Sequence, residues 1–527
     1  MTTRSSTGSD PDGTAAGGQS PASVLPPSVV PTDLPRSTLD RSLVTGVAWT
    51  GGIKWLSQIL SWLATLVVAR ILSPTDYGIA GMAVTYVGLV QLVSEFGLSA
   101  AVVQQRDLTT DQIARLGGLS VGLGVIFALL SVALAAPVAA FFGESALQAV
   151  VIVMSTTFVI GGLQVLPRSL LTRDLRFRAL GLIEGAEAVV LTGVTITLAL
   201  LGFGYWALVI GGVASRLVAT ILMLVFCRHR LAWPRSLDTI AVPLRLGAHV
   251  LVASLLWYAF RSADMAVIGR VLGSAALGAY AIGFNIASVP AERLAGLVTR
   301  TTPAIFAAVQ HDPASLRRYL LGLTEGIAIV TMPVAIGLAL VADEFVVTVL
   351  GAKWQAAVPV LQLLALAGGI RSIIPLLPQI LIATGQARRN TQASVALALT
   401  MPVLFLLASR WGITGVAWVW VLVYPAIVIA FMMRFALAAC ATTGAQYARS
   451  LWPSVSACAI MAAAVIPAGF MLPADSTPGL RLAVKVAVGV VTYVAALSIL
   501  HTTRVAAFLR LVRFMRAGQA PAADSPR

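Results

Sequence analysis

Apolar segments about as long as a lipid bilayer is thick recur along this sequence. The hydrocarbon core of a bilayer is about 30 Å thick, and a helix of about 20 apolar residues crosses it. Inside lipid every backbone amide group must be hydrogen-bonded within the protein, and continuous apolar segments of this length favour helices. Because 58% of the residues are hydrophobic and only 11% are charged, the chain is not a water-soluble globular domain. The sequence predicts an all-α integral membrane protein.

The hydropathy pattern predicts about fourteen transmembrane helices. Their predicted bounds are 44–69, 78–102, 114–141, 146–171, 179–201, 205–227, 243–269, 277–303, 319–342, 358–383, 392–409, 413–438, 450–472 and 480–501. A leader at 1–43 is rich in Ser, Thr, Pro and Gly, and its low apolar content predicts disorder. A basic tail at 503–527 contains a segment that predicts a short helix at the inner lipid surface.

The basic residues predict how these helices are oriented. If the amino terminus is cytoplasmic, the cytoplasmic loops and tails contain 24 of the 36 Lys and Arg residues, and the outer loops contain five. Cytoplasmic loops of membrane proteins are enriched in Lys and Arg, so this asymmetry predicts that both termini are cytoplasmic. The net charge of +15 then has a topological cause, and we expect no nucleic acid among the partners.

Two segments 200 positions apart resemble each other: VVARILSPTDYGIA at 67–80 and VIGRVLGSAALGAY at 267–280. Four positions are identical, including the pair Gly78 and Gly278. On the predicted topology both copies lie in outer loops six helices apart, so they enter the membrane in the same direction. This predicts two pseudo-symmetric six-helix bundles with two further helices. The predicted units are an N-lobe at 44–235, a C-lobe at 236–440 and the last two helices at 441–502.

Several motifs, in order, identify a family: VVARILSPTDYG, FGLSAAVVQQRDLT, VLPRSLLTRDLRFRAL, LGFGYWALV, RSADMAVIGRVLGSAALGAY and GAKWQAAVPVLQLLALAGGIRSI. Over about residues 41–440 the chain resembles the polysaccharide transporter family of the multidrug/oligosaccharidyl-lipid/polysaccharide exporter superfamily. It is most similar to the Wzx-type flippases of the colanic-acid and teichuronic-acid exporter branch. The resemblance implies a multi-pass flippase of the bacterial inner membrane. Its cargo would be an undecaprenyl-diphosphate-linked oligosaccharide, and its partners a polysaccharide polymerase and glycosyltransferases.

Basic residues inside the predicted spans are candidates for binding this cargo. A charge near the bilayer centre costs about 2.5 to 3.5 kcal/mol on the translocon scale, so basic residues that face lipid are rare. Arg and Lys donate charge-assisted hydrogen bonds to phosphate oxygens. We therefore predict a cationic central cavity between the lobes and alternating access through it. The candidate ligands of the diphosphate or glycan are Lys54, Arg216, Arg261, Arg293 and Arg371.

Carboxylates inside the spans are candidates for coupling transport to an ion. These residues are Glu95, Glu187 and Asp264. Burial disfavours the charged form of a carboxylate, which allows proton exchange near neutral pH. A structural role is the alternative for each charge, because Arg261 and Asp264, for example, are three residues apart and could pair on one helix. The sequence leaves a proton, a sodium ion and substrate flux open as driving forces.

Two other functions remain as alternatives. One is an ion-coupled drug or metabolite antiporter of the same superfamily, although organic cations favour an acidic cavity and this cavity is predicted to be basic. The other is a membrane polymerase or ligase that acts on lipid-linked sugars and needs a substantial outer loop with catalytic Arg or His. The predicted outer loops are short, and the four His residues are scattered along the sequence. We expect a transporter with no catalytic residue, metal or cofactor.

Overall fold

Helices account for nearly all of the described chain, and no described residue lies in a β-strand. The computed structural model describes residues 61–95, 98–104, 108–227, 229–233, 241–299, 302–473 and 475–502. The predicted leader, the basic tail and Lys54 lie outside the described residues. The helical content confirms the predicted all-α fold.

The α-helices of the described ranges are numbered in chain order. The first seven are α1 (Ser61–Ile71), α2 (Pro74–Glu95), α3 (Leu98–Gln104), α4 (Thr110–Phe142), α5 (Ala146–Arg173), α6 (Phe177–Leu200) and α7 (Tyr205–Phe226). The next seven are α8 (Ala241–Leu272), α9 (Ser274–Thr299), α10 (Thr302–Ala308), α11 (Pro313–Leu340), α12 (Ala342–Phe345), α13 (Val358–Arg371) and α14 (Leu376–Ala383). The last are α15 (Ala387–Ala408), α16 (Gly412–Val428), α17 (Arg434–Ala439), α18 (Gly444–Phe470) and α19 (Pro478–Leu500). Short 3₁₀ or π-helical segments cover Val346–Leu350, Ala352–Ala357, Ser409–Trp411 and Ile429–Met433.

Every predicted span has a helical counterpart among the described residues, although the first span is described only from residue 61. Ten helical segments there are long and apolar enough to cross a membrane, which supports the predicted membrane class. The predicted number of fourteen spans fits this helix order. The tenth and twelfth spans are interrupted between α13 and α14 and between α16 and α17. Pro375 and Pro425 lie at or just before these interruptions, where their missing N–H group removes a backbone hydrogen bond.

Local side-chain chemistry fixes where several helices begin. The Thr109 hydroxyl accepts a hydrogen bond from the backbone N–H of Gln112, and the Gln112 side chain accepts one from the backbone N–H of Thr109. The same reciprocal pair, Thr443 with Gln446, begins α18. These capping boxes satisfy amide groups that the first turn of a helix leaves without a partner.

One turn geometry recurs at five helix ends in the described part of the chain. Between α5 and α6, Leu175 has φ +55°, and the N–H of Arg176 donates to the carbonyl of Leu171 at 2.9 Å. Between α14 and α15, Gly385 has φ +74°, and the N–H of Gln386 donates to the carbonyl of Leu381 at 2.7 Å. In both turns a residue with positive φ is followed by an N–H group that donates to the carbonyl five residues earlier, which is the geometry of a Schellman helix C-cap. The same geometry ends α4 at Gly143, α6 at Gly202 and α17 at Ala441, so it is a common way of ending a helix and not a second repeat.

Two large clusters of buried side chains hold the helices together. The first contains residues of α2, α5, α9, α13 and α16, and therefore joins the two halves of the chain. The second contains residues of α11, α14, α17, α18 and α19. In it the Tyr493 hydroxyl of α19 donates to the backbone carbonyl of Ile329 in α11 at 2.7 Å. The last two helices thus pack against the second half of the chain, while the lobe boundaries at 235 and 440 stay predictions.

Candidate functional site

The repeated segments lie side by side where α2 and α9 begin. A methyl group placed on Gly78 would overlap the backbone carbonyl of Ser274, and one placed on Gly278 would overlap the backbone carbonyl of Pro74. The contact is reciprocal, because each glycine of the repeat meets the first residue of the other helix. Only residues without a Cβ allow two backbones to approach this closely. This crossing of α2 and α9 joins the two halves at the predicted outer end.

The loops beside the crossing tie the halves together further. The Arg70 guanidinium donates to the carbonyl of Thr348 at 2.8 Å. In return, the Lys353 ammonium donates to the carbonyl of Arg70 at 2.8 Å. The buried indole of Trp354 donates to the carbonyl of Ala69, also at 2.8 Å. The GAKWQ motif therefore closes over the loop that carries the first copy of the repeat.

The second copy of the repeat makes the corresponding contacts to the first half. The Arg270 guanidinium lies over the ring of Phe141, with 5.6 Å between its central carbon and the ring centre. The Ser274 hydroxyl donates to the Glu144 carboxylate at 3.1 Å. Arg70 and Arg270, equivalent in the repeat, thus both reach from one half of the chain to the other. The predicted outer end is closed by contacts on both sides of the crossing.

An apolar groove of about 420 Å³ lies beside the crossing, between α2, α4 and α8. Its walls include Leu89, Leu134, Val138, Phe141 and Ala266. At its edge the Tyr258 hydroxyl of α8 donates to the backbone carbonyl of Thr85 in α2 at 2.7 Å. The groove therefore lies where helices of the two halves meet. Its surface suits hydrocarbon and not an anionic head group.

A buried polar cluster surrounds Asp264 in α8. This carboxylate has no exposed surface and accepts hydrogen bonds from the Tyr280 hydroxyl at 2.8 Å and the Trp420 indole N–H at 3.0 Å. It also accepts one from the backbone N–H of Met265 at 2.8 Å. Donors from three helices thus satisfy a charge that would otherwise be costly to bury. The cluster fixes α8, α9 and α16 relative to one another.

Arg371, at the end of α13, stacks on the same cluster. Its guanidinium carbon lies 4.6 Å from the centre of the Trp420 ring and 5.6 Å from that of Phe284. Its charge also acts on the Asp264 carboxylate. Arg371 is half-buried, whereas Asp264 is fully enclosed, so the guanidinium lies at the margin of the cluster. Aromatic rings beside a cation can bind both sugars and phosphates.

The structure brings Asp264 and Arg371 together, although the sequence alone gave no sign that these two candidates are neighbours. The partners Tyr280 and Trp420 were missed. A sequence signal existed for Tyr280, because α8 and α9 are joined through Gly273, and Asp264 and Tyr280 lie at similar distances from this turn, nine positions before it and seven after it. Trp420 carried no comparable signal, since its position depends on how α16 packs against α8.

The candidates of α6 and α7, Glu187 and Arg216, form a separate group. The positive charges of Arg216 in α7 and Arg168 in α5 act on the Glu187 carboxylate of α6. Arg168 forms an ion pair with Glu184 at 3.8 Å. The backbone carbonyl of Arg216 accepts a hydrogen bond from Gln164 at 3.1 Å. This arrangement is consistent with the structural role left open for these charges, while their part in cargo binding stays a prediction.

The remaining candidates lie elsewhere. Glu95 accepts a hydrogen bond from Gln91, one turn earlier in α2, at 2.9 Å. The Arg261 guanidinium lies 4.9 Å from the ring centre of Trp257 in α8. Arg293 belongs to α9, but its side chain, like Lys54, is outside the described part of the chain. Among the described residues no group of three His, Cys, Asp or Glu side chains is arranged to hold a metal ion.

Known proteins resemble this chain over much of its length. A family model described as polysaccharide biosynthesis protein matches residues 67–359. The lipopolysaccharide biosynthesis protein WzxC of Escherichia coli is 28% identical over 64% of this chain and 69% of that protein. The teichuronic acid biosynthesis protein TuaB of Bacillus subtilis is 26% identical over 66% of this chain and 73% of that protein.

Solved structures show the same fold. The lipid II flippase MurJ in its inward closed conformation superposes with a TM-score of 0.72, covering 87% of this chain and all of that chain at 13% identity. An inward-facing multidrug resistance transporter superposes with a TM-score of 0.56, covering 73% of this chain and 96% of that chain at 14% identity. At these identities the likeness concerns the fold alone.

Proposed function

We propose that this chain, which belongs to the family described as polysaccharide biosynthesis protein, is a flippase for a lipid-linked saccharide. In finer terms, it moves an undecaprenyl-diphosphate-linked oligosaccharide from the inner to the outer leaflet of the bacterial inner membrane. The names of WzxC and TuaB connect relatives of the chain with the synthesis of surface polysaccharides. The fold shared with a lipid II flippase supports the same class of cargo.

The single observation that carries this proposal is the reciprocal crossing of α2 and α9. It lies between the two halves of the chain and holds them together at one end with close backbone contacts. A transporter that works by alternating access needs such a closure at one side while the other side is open. We assign the crossing to the outer side, so the described state would receive cargo from the cytoplasm. Release would require α2 and α9 to separate.

The groove between α2, α4 and α8 suits the lipid part of the cargo. Its apolar walls offer a polyprenyl chain the same environment as the bilayer, so the chain need not enter a polar cavity. The costly step is to move a diphosphate and sugars through hydrocarbon, since polar groups lose their hydration there. A polar passage between the halves would remove most of that cost.

Among the five basic candidates, we favour Arg371 for contact with the diphosphate or glycan. Arg371 is half-buried at the margin of the aromatic cluster, and its guanidinium carbon lies over the rings of Trp420 and Phe284. Arg offers paired N–H donors to phosphate oxygens in a fixed geometry. Lys54, Arg216, Arg261 and Arg293 stay candidates for the same cationic passage. Asp264, Glu95 and Glu187 stay candidates for ion coupling.

A drug or metabolite antiporter is the second candidate function, since the fold also superposes on a multidrug resistance transporter. Transport of an organic cation into vesicles that contain the purified protein distinguishes the two functions. An antiporter would move an organic cation against a proton or sodium gradient, whereas the flippase would not.

The cellular test uses deletion of the gene. We expect surface polysaccharide to disappear and the lipid-linked oligosaccharide to accumulate on the inner leaflet, measured by periplasmic enzymatic labelling. Complementation with Arg371→Gln should restore less than a tenth of the export, whereas Arg410→Gln, which removes an exposed loop charge, should restore all of it. Accumulation of the lipid-linked oligosaccharide on the outer leaflet would contradict the proposal and point to a polymerase or ligase.

A further inference from the structure

A groove with three arginines lies at the end of the bundle opposite to the crossing of α2 and α9. Its walls are the first turns of α15 and the segment from Phe431 to Phe435, and its volume is about 650 Å³. Arg388, Arg389 and Arg434 line it, and none of the described residues in its walls is acidic. We refer to it as the arginine groove. It is separate from the Asp264 cluster and from the apolar groove of the crossing.

The three guanidinium groups are concentrated without a neutralising carboxylate. The central carbons of Arg389 and Arg434 lie 4.1 Å and 4.6 Å from the centre of the same Phe435 ring. Arg389 also donates to the side-chain oxygen of Gln392 at 3.1 Å, which fixes its direction. In the part of the chain that the structure describes, no carboxylate lies within 4.0 Å of the three groups. An anion bound among them would relieve their mutual repulsion.

The start of α15 adds to this positive potential. The helix begins at Ala387, directly before Arg388, and extends for 22 residues. The amide groups of the first turn of a helix carry partial positive charge and bind anions. Preoriented guanidinium groups and the helix end therefore act on the same volume. An anionic group such as a phosphodiester fits this combination.

The surface next to the groove identifies the rest of the ligand. Along α15, Leu399, Val403 and Leu406 are exposed by 66%, 57% and 54% and follow one another at helical spacing. On the other wall Phe431 and Ile429 are also exposed. An apolar stripe therefore continues from the arginines toward the middle of the membrane. A free phosphate or an acidic protein segment would use only the arginines, whereas a phospholipid would use both surfaces.

We propose that the arginine groove binds an anionic phospholipid, with the phosphodiester on Arg388, Arg389 and Arg434 and an acyl chain along the stripe of α15. On the predicted topology the groove faces the cytoplasm, where basic residues at the membrane border attract anionic lipids. The bound lipid would join α15 to α17 at this end. This lipid site does not depend on the cargo of the transporter. Only its assignment to the cytoplasmic leaflet depends on the predicted topology.

Native mass spectrometry of the full-length protein in detergent tests the inference, with phosphatidylglycerol and phosphatidylcholine as probes. We expect one phosphatidylglycerol to remain bound at low lipid concentration. The triple variant Arg388→Gln/Arg389→Gln/Arg434→Gln should bind it about a hundredfold more weakly, since each basic residue at a membrane surface contributes roughly a factor of five. Phosphatidylcholine should bind weakly to both proteins.

The matched control is Arg317→Gln/Arg318→Gln/Arg449→Gln, which removes three exposed charges from α11 and α18. It should bind phosphatidylglycerol like the unchanged protein. Equal weakening in both triple variants would overturn the site, because net charge alone would then explain it. Displacement of phosphatidylglycerol by millimolar inorganic phosphate would overturn the lipid assignment in favour of a free anion. If the triple variant aggregates on size exclusion, the single variant Arg434→Gln replaces it. We expect this variant to bind phosphatidylglycerol about fivefold more weakly. Unchanged binding would refute the site.

Discussion

At the scale of single residues, Asp264 has the most demanding environment in the described chain. A fully buried carboxylate is tolerated only where donors replace the water that it has lost. Tyr280, Trp420 and the backbone of Met265 supply these donors, and Arg371 adds a positive charge nearby. These four neighbours make the buried Asp264 carboxylate compatible with a membrane interior.

The first prediction concerns the Tyr280 hydroxyl. Tyr280→Phe removes one donor and leaves the buried Asp264 oxygen with the Trp420 indole alone, which should cost about 1–3 kcal/mol of stability. The measurement is the thermal unfolding midpoint of the detergent-solubilised protein. Tyr319→Phe, at a half-buried ring beside Arg318, is the control and should lower the midpoint less. Equal effects of the two substitutions would mean that the Asp264 hydrogen bonds do not contribute to stability.

At the scale of secondary-structure elements, glycines decide which helices approach closely. Gly124 of α4 faces the backbone of Phe158 in α5, and Gly162 of α5 faces the backbone of Ser120 in α4. Both α4 residues belong to the segment GGLSVGLGV, whose small residues favour close helix packing, and this contact agrees with that pattern. Gly122 has a different neighbour, since it lies against the ring of Trp233 in the segment after α7. Small residues indicated close packing, but the sequence could not distinguish a helix from a loop as the partner.

The second prediction concerns the crossing of α2 and α9. Gly78→Ala should lower the unfolding midpoint by an amount equivalent to about 1–3 kcal/mol and reduce export, because a methyl group would displace the backbone of Ser274. Gly212→Ala is the matched control, since a methyl group there meets no atom within 4 Å. Thermal unfolding and surface polysaccharide measure the two effects. Equal unfolding midpoints and equal export in Gly78→Ala and Gly212→Ala would show that the close contact of α2 and α9 does not stabilise the protein.

The third prediction concerns the attachment of α19 to α12. The Lys485 ammonium forms an ion pair with the Glu344 carboxylate, and both side chains are largely buried. Lys485→Met or Glu344→Gln alone should cost about 2–3 kcal/mol, because each leaves one partner without its counter-charge in an apolar setting. The double variant should recover most of this loss, as measured by the unfolding midpoints of all four proteins. Strictly additive losses would show that the two residues do not interact energetically.

At the level of the whole molecule, the sequence predicted the order of the helices but not the side-chain contacts around Asp264 and Arg371. The helix order followed from hydropathy, because a span needs a continuous apolar segment whatever its neighbours are. The repeat around Gly78 and Gly278 pointed correctly to equivalent positions in the two halves. The Trp420–Asp264 contact could not be predicted, since it joins residues 156 positions apart through packing of three helices. For the same reason the sequence identified Arg371 as a candidate but gave no sign of its aromatic neighbours.

The proposed movement of a lipid-linked saccharide between leaflets can be measured with the reconstituted protein. Proteoliposomes would contain the purified protein and a fluorescent undecaprenyl-diphosphate-linked oligosaccharide, with a membrane-impermeant quencher outside. We predict that the exchange rate of the label between leaflets rises with the amount of protein and falls at least tenfold in the Arg371→Gln variant. Exchange no faster than in protein-free liposomes, with the protein folded and inserted, would show that the protein is not a flippase for this cargo.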